Sequence, residues 1–163
     1  MAAADLTATR LREVLAYNPD TGSFNWLVKP GRRTNVGDPA GYVMQGYLAI
    51  GIDARKHLAH RLAWMHTYGT MPAGCIDHIN GNKLDNRLSN LRDVSVGENN
   101  QNVRVARRSS KLGILGVRST GSKYSARLKV SGQDVYLGVY ETVAEAHAAY
   151  IAAKAAAHPG NTL

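Results

Sequence analysis

The sequence predicts an α+β chain in two parts. The first is a mixed region of strands and short helices that ends in a strand–loop–strand–helix unit. The second is a small three-stranded antiparallel sheet packed on one helix. Three observations predict this. Apolar and charged residues alternate with period two beyond residue 113. A polar, Asn-rich segment at 74–103 is framed by two short apolar pieces, Cys75-Ile76 and Leu91 to Val94. Charge also shifts along the chain: residues 104–163 hold nine Lys/Arg against three Asp/Glu, whereas residues 1–103 hold eleven against nine.

Taken in order, residues 6–17 place Leu11, Val14 and Leu15 at helical spacing, and Asn18-Pro19 ends that predicted helix. Pro19-Asp20-Thr21-Gly22 is a turn signal. Ser23 to Val28 reads as a strand, and 29–41 as a basic, Gly/Pro-marked loop that carries Arg32 and Arg33. Gly41 to Ile52 predicts a hairpin around Gln45-Gly46. A short strand at Lys56–Ala59 leads into a helix through Leu62, Trp64, Met65 and Tyr68, closed by Gly69. Ser95-Val96-Gly97-Glu98 has the pattern of a capping box, which starts another short helix.

From Gly113 onward three strands are expected, at Ile114–Ser119, Lys123–Val130 and Asp134–Tyr140, joined through Gly121-Ser122 and Ser131-Gly132-Gln133. Thr142-Val143-Ala144-Glu145 is a second capping box. It opens a helix running to about Ala157, and nine of the sixteen residues from Thr142 to Ala157 are alanine. So small a helix surface can lie close against a sheet. The expected domains are therefore 1–103, with a core at about 74–103; a basic linker at 104–112; and 113–163.

Composition narrows the partners. The chain has 163 residues and a formal net charge of +8. So basic a chain points first to nucleic acid and second to an anionic membrane surface. No stretch reaches the roughly 20 apolar residues that span a bilayer, so no membrane partner is expected. The start, Met1-Ala2-Ala3-Ala4-Asp5, lacks the basic beginning and apolar run of a secretion signal. Cys75 is the only cysteine. It can form no internal disulfide and belongs to no Cys/His zinc set, and its simplest role is that of a small buried residue. Together these features lead to the expectation of a cytoplasmic protein.

The segment that carries chemistry runs from Ile76-Asp77-His78-Ile79-Asn80-Gly81 through Asp85-Asn86-Arg87 to Asn90-Leu91-Arg92 and on to Asn99. Successive side chains of a strand point to opposite faces, so Asp77 and His78 could share one site only where the strand ends and twists. The Asn/Gly-rich stretch then acts as a loop held by its own hydrogen bonds. A second strand at Leu91–Val94 and the helix from Ser95 close the unit, and the helix's first turn is expected to present Asn99 toward Asp77. By itself, an Asp-His pair is more often a satisfied surface pair than a site. Asp85 can be read simply as a brace of the loop. His60 and Arg61 are expected to pack or hydrogen-bond near the core, and Trp26, Trp64 and Tyr68 to be core.

This pattern resembles the HNH nuclease family in its variant with a final asparagine, with His78, Asn90 and Asn99 at the three signature positions. Tyr17-Asn18-Pro19-Asp20-Thr21-Gly22 with Trp26, and His60-Arg61-Leu62-Ala63-Trp64, are similar to the phage and intron-encoded branch, so the resemblance covers most of 17–103. It implies a ββα-metal (His-Me finger) fold and a phosphodiester-hydrolysing DNA endonuclease of the homing or phage type. His78 would be the general base, since imidazole titrates near neutrality. Asp77 and Asn99 would bind one Mg²⁺ or Mn²⁺ per active site, both offering oxygen. Asn90 would bridge loop backbone and hold the His78 ring. The implied products are a 5′ phosphate and a 3′ hydroxyl, from one nick per active site made by a monomer in the cytoplasm of a bacterial host, encoded by a phage or mobile element.

The C-terminal part resembles the ethylene-response-factor-type DNA-binding domain over about Gly113 to His158. The matching residues are Gly116-Val117-Arg118, Tyr124-Ser125-Ala126-Arg127-Leu128, Leu137-Gly138-Val139-Tyr140 and Glu145-Ala146-His147-Ala148-Ala149-Tyr150. On the middle strand Tyr124, Ala126, Leu128 and Val130 share one face, and Lys123, Ser125, Arg127 and Lys129 the other. Arg118 joins the cationic face, which is expected to hold double-stranded DNA. Arg107 and Arg108 of the linker would strap across phosphates. An alternative stays open at this point: a non-catalytic DNA-binding protein on the same scaffold.

Overall fold

The computed structural model describes residues 5–101, 103, 105–106, 108–130 and 132–158. The chain divides into two compact units, Met1–Ser95 and Val96–Leu163.

In the first unit α1 (Ala8–Val14) begins at Thr7, whose hydroxyl accepts from the Arg10 amide at 3.1 Å. The helix ends earlier than its spacing predicts. Leu15–Asn18 forms a strand, β1, paired antiparallel with β2 (Ser23–Trp26), Leu15 opposite Trp26 and Tyr17 opposite Phe24. The reason lies beyond the helix, in the pairing that the next turn imposes. The Asn18 side-chain oxygen accepts from the amides of Asp20 and Thr21, and Gly22 N donates to Asn18 O at 2.8 Å, so the chain reverses in a tight turn that pulls the preceding residues into a ladder.

A second sheet holds β3 (Tyr42–Met44), β4 (Tyr47–Ile52) and β5 (Arg55–Leu58), all antiparallel. Gln45 and Gly46 link the first two with φ of 51° and 82°, the primed turn that suits a hairpin's twist. Helix α2 (Ala59–Tyr68) follows directly and ends on Gly69 in the left-handed conformation. Helices α1 and α2 and the sheets bury Leu11, Leu15, Phe24, Ile50, Leu62 and Ile76 in one core. On this core lie β6 (Cys75–His78) and β7 (Leu91–Val94), paired antiparallel with Asp77 opposite Arg92 and His78 opposite Leu91.

The second unit opens with α3 (Val96–Gln101), followed by β8 (Val117–Thr120), β9 (Lys123–Val130) and β10 (Gln133–Tyr140) in the sheet order β10-β9-β8, and then α4 (Val143–Ala157). The α4 capping box is complete: Thr142 Oγ1 accepts from Glu145 N at 3.2 Å, and Glu145 Oε2 accepts from Thr142 N at 3.1 Å. The alanines let α4 sit on the sheet over Val117 and Ala126. The approach is so close that a Cβ on Gly116, at φ 71°, would stand 1.9 Å from the Tyr150 ring. Lys154, 2% exposed, donates from Nζ to Val103 O at 2.6 Å and ties that segment to α4.

Candidate active site

Asn and Asp side chains, more than apolar packing, shape the loop between β6 and β7. The Asp93 carboxylate accepts from the amides of Ala73 and Gly74, both at 2.9 Å, and fixes the entry to β6. Asn80 Oδ1 accepts from Asn82 N at 2.8 Å, and Asn82 Oδ1 from Leu84 N at 3.1 Å, two successive local turns. Asp85 gathers Asn80 Nδ2 at 2.7 Å and the Arg87 guanidinium at 2.8 and 2.6 Å, and Arg87 holds its carboxyl down at about 2. Asp85 thus braces the loop.

Asn90 is buried and spans this loop from inside. Its Oδ1 accepts from Asn80 N at 2.9 Å, and its Nδ2 donates to Asp85 O at 2.8 Å. Ile79 N also donates to Asn90 O at 2.9 Å, just past the end of β6. Asn90 therefore bridges loop backbone, the place that the family resemblance implies for it. The side chain bonded to the His78 ring is a different one: Asn86 Oδ1 lies 3.4 Å from His78 Nε2.

Asn86 is 1% exposed, and a distant hairpin holds it in place. Tyr17 Oη donates to Asn86 O at 2.8 Å, and Leu88 N donates to Pro19 O at 3.1 Å. A Cβ on Gly22 would meet Arg87 N at 2.4 Å and Asn86 C at 2.5 Å, so only glycine, at φ 73°, lets the β1–β2 turn press on the loop. The Tyr17–Gly22 motif, far upstream in sequence, thus serves the loop that carries His78.

His78 ends β6 and is buried, as is its neighbour Asp77. Its ring packs edge-on against His60, with centroids 5.1 Å apart at 86°, and near Tyr47 at 6.2 Å. Lys83 reaches over the Tyr47 ring, 4.6 Å from its centroid. Burial pushes the His78 imidazole below its ordinary value. The Asn86 bond and the charges of Asp77 and Asp85 oppose this, and the Lys83 charge adds to it. The outcome is a neutral ring at neutral pH, the form that can accept a proton. His60 packs near the core, as expected, with Nδ1 buried and unbonded; burial first, and then the charges of His78 and Arg61, push it down to about 4.

Asp77 takes two bonds from Arg92 on Oδ2, at 2.9 Å from Nε and 2.6 Å from Nη2. Among the described residues no group of three or more His, Cys, Asp or Glu is gathered for a metal ion. A donor set built on one carboxylate does not suit structural zinc. It fits a hard dication such as Mg²⁺, which keeps several waters and takes further oxygens from a phosphate. Asn99 lies on α3 in the second unit, half-buried.

In the second unit the alternation of β9 is observed: Ala126 and Leu128 are buried, whereas Lys123, Arg127 and Lys129 are exposed. Ser125 departs from its row. It is buried, its Oγ bonded to Thr120 Oγ1 at 3.1 Å and to Arg118 O at 3.4 Å. Arg118, opposite Ser125, is exposed on that face. Lys123 is paired with Glu141. An open cleft of about 790 Å³ is lined by Ser109, Ser110, Lys111, Arg118 and Arg127, among others. Arg108 is exposed, and Arg107 lies outside the described residues.

Of the residues around His78, sequence reasoning passed over Asn86 and Tyr47. Asn86 sits inside the quoted Asp85-Asn86-Arg87 motif, but nothing in its spacing shows that it reaches back to the ring. Tyr47 is brought near by the β3–β4 hairpin, a tertiary relation without a local signal.

Residues 57–101, from β5 through β7 to the end of α3, match the family described as HNH endonuclease. One relative is a Bacillus subtilis (strain 168) protein named SPbeta prophage-derived putative HNH homing endonuclease YosQ. It is 39% identical over 74 residues, 45% of this chain and 42% of that protein. The chain thus spans less than half the length of the curated relative it matches. No solved structure matches it.

Proposed function

We propose that the chain is a metal-dependent DNA endonuclease of the phage or homing type that nicks one strand per active site. The observation that carries this reading is Asp77 followed by His78 at the end of β6, inside the stretch that matches the HNH endonuclease family. On this reading β6 and β7 are the two strands of a ββα-metal (His-Me finger) fold. His78, kept neutral by burial, takes a proton from a water that attacks the phosphorus. Asp77 offers carboxylate oxygen to one Mg²⁺ or Mn²⁺, and Asn99, by its spacing, is the candidate for a second oxygen donor. A divalent cation bound there supplies charge stabilisation to the phosphate and to the departing 3′ oxygen. Asn90 keeps the loop closed. The products are a 5′ phosphate and a 3′ hydroxyl.

The basic sheet of the second unit is the proposed anchor, an ethylene-response-factor-type module. Arg118, Lys123, Arg127 and Lys129 face phosphates of double-stranded DNA, and Arg107 and Arg108 lie in the strap before it. One site per chain suits a monomer. The prophage-derived homing endonuclease named for the Bacillus relative supports a phage or mobile-element gene, and the proposed place of action is the cytoplasm of a bacterial host.

A plasmid-relaxation assay tests the reading. Supercoiled DNA incubated with the wild-type chain and Mg²⁺ should become relaxed circles, and chelator or His78→Ala should abolish this. Relaxation that persists with either, or is missing from the wild type, counts against it. The Arg92 bonds to Asp77 favour one competing reading, a DNA-binding scaffold whose carboxylate is committed to a guanidinium. That protein would bind plasmid equally well with and without His78→Ala and never nick it.

A further inference from the structure

We infer that Asn86 is a positioning residue whose side-chain carbonyl oxygen orients the His78 ring and fixes it as the Nε2–H tautomer. The inference rests on the reading of His78 as general base and names the side chain that holds that base in one orientation and one tautomer.

The polarity of this contact matters more than its strength, since 3.4 Å is long for a hydrogen bond. A neutral imidazole has one nitrogen that donates and one that accepts, and its partners decide which is which. The Asn86 amide cannot turn to suit either choice. Its Nδ2 donates to Leu84 O at 3.2 Å, and a backbone carbonyl can only accept. A flipped amide would set its oxygen against that carbonyl oxygen. The end facing His78 is therefore the carbonyl oxygen, and it requires a donor at Nε2. With the proton on Nδ1 instead, two lone pairs would face each other in a buried site.

Asn86 is also held from behind. The Tyr17 hydroxyl on its backbone carbonyl and the Leu88 N to Pro19 O bond clamp the residue between two segments. The close approach at Gly22 leaves little space for it to withdraw. The edge-on His60 ring, 5.1 Å away between centroids, limits tilting of the imidazole. The amide thus has a fixed sense and a fixed place, and it transmits both to the ring.

The test is a ¹⁵N-edited NMR spectrum of the histidine side chains of the full chain at a pH where His78 is neutral, with the His78 signals assigned by their loss in His78→Gln. Nicking is assayed in parallel. In the wild type Nε2 should carry the pyrrole-type shift and Nδ1 the pyridine-type shift. Asn86→Leu, which removes the acceptor, should mix the two forms and slow nicking about tenfold to a hundredfold. Asn86→Asp keeps an acceptor facing Nε2 and should keep the Nε2–H form, which secures the test if the leucine variant does not fold. A wild type, or an Asn86→Asp variant, that carries its proton on Nδ1 overturns the inference, as does an unchanged tautomer in folded Asn86→Leu. A wild type that shows Nε2–H but never nicks sinks the nuclease reading while this tautomer assignment stands.

Discussion

The Tyr17 hydroxyl donates to the backbone carbonyl of Asn86 at 2.8 Å, across 69 residues of sequence. This bond joins the first hairpin of the chain to the loop behind His78, and Tyr17→Phe tests what it does. The substitution keeps the ring that packs on Phe24, 4.7 Å away between centroids, and removes only the donor. The half-buried carbonyl then loses that partner, at a cost of about 1–2 kcal/mol. The urea midpoint should fall accordingly with the slope unchanged. Nicking should slow severalfold, because Asn86 is held less firmly. An unchanged midpoint would show that the hairpin rests on the loop without clamping it.

Local signals made much of this fold legible. Asn18 to Gly22 announces a turn, Gln45-Gly46 a hairpin, Gly69 a helix end, and Thr142 with Glu145 a capping box, and each is found in place. These features depend on a few adjacent residues and survive any tertiary context. The failure at Leu15–Asn18 has the opposite origin. Leu15 keeps helical spacing with Leu11, but the pairing of Leu15 with Trp26 and of Tyr17 with Phe24 across the turn prevails over that periodicity. The same divide runs through the site. Asp77, His78 and Asn90 stand out as a motif, whereas the partner of the His78 ring does not. Asn86 has neighbours of its own kind at 80, 82 and 90, and only the folded loop distinguishes them.

His60 provides a stability test with a definite sign. Its folded-state value is pushed down to about 4, chiefly by burial, and it unfolds to an ordinary value of about 6.5. The neutral ring is the one the fold accepts, so the unfolded chain binds more protons between these values. The contribution is fully present above about pH 6.5 and is lost as pH falls toward about 4, to a total of about 3 kcal/mol. Unfolding free energies measured across that range should fall with acid, and His60→Phe should flatten the slope. The buried, unbonded Nδ1 suggests that the phenyl ring costs little at neutral pH. An equally steep acid dependence in His60→Phe would place the titrating group elsewhere.

The Asp77–Arg92 pair is partly shielded, with side chains 9% and 27% exposed. Arg92→Met deprives a buried carboxylate of two charge-assisted bonds and should destabilise by about 3 kcal/mol. Asp77→Asn should cost less, because Arg92 still reaches water. The double variant should be more stable than the sum of the single changes by about 1–2 kcal/mol, since neither charge remains to be compensated. Strict additivity in denaturant melts would mean that the two groups do not act as a pair.

If the proposed function holds, Arg127 is the residue that distinguishes holding DNA from cutting it. Its guanidinium lies 5.5 Å from the Tyr136 ring centroid on the exposed face of β9, while its backbone amide is engaged with Gly116 O at 2.8 Å. Removing the side chain therefore takes away a positioned charge and leaves the ladder intact. If the charge meets a phosphate, Arg127→Ala should lower the slope of log affinity against log salt by about one and weaken every DNA sequence alike. Tyr136→Leu should have a smaller effect of the same kind, because the charge survives but loses its platform. Cutting at saturating DNA should hardly change in either variant, since a sheet that only anchors the duplex contributes to capture and not to the chemical step. A loss of cutting rate at saturation equal to the loss of binding would merge the two roles, and the basic sheet would then belong to the active site.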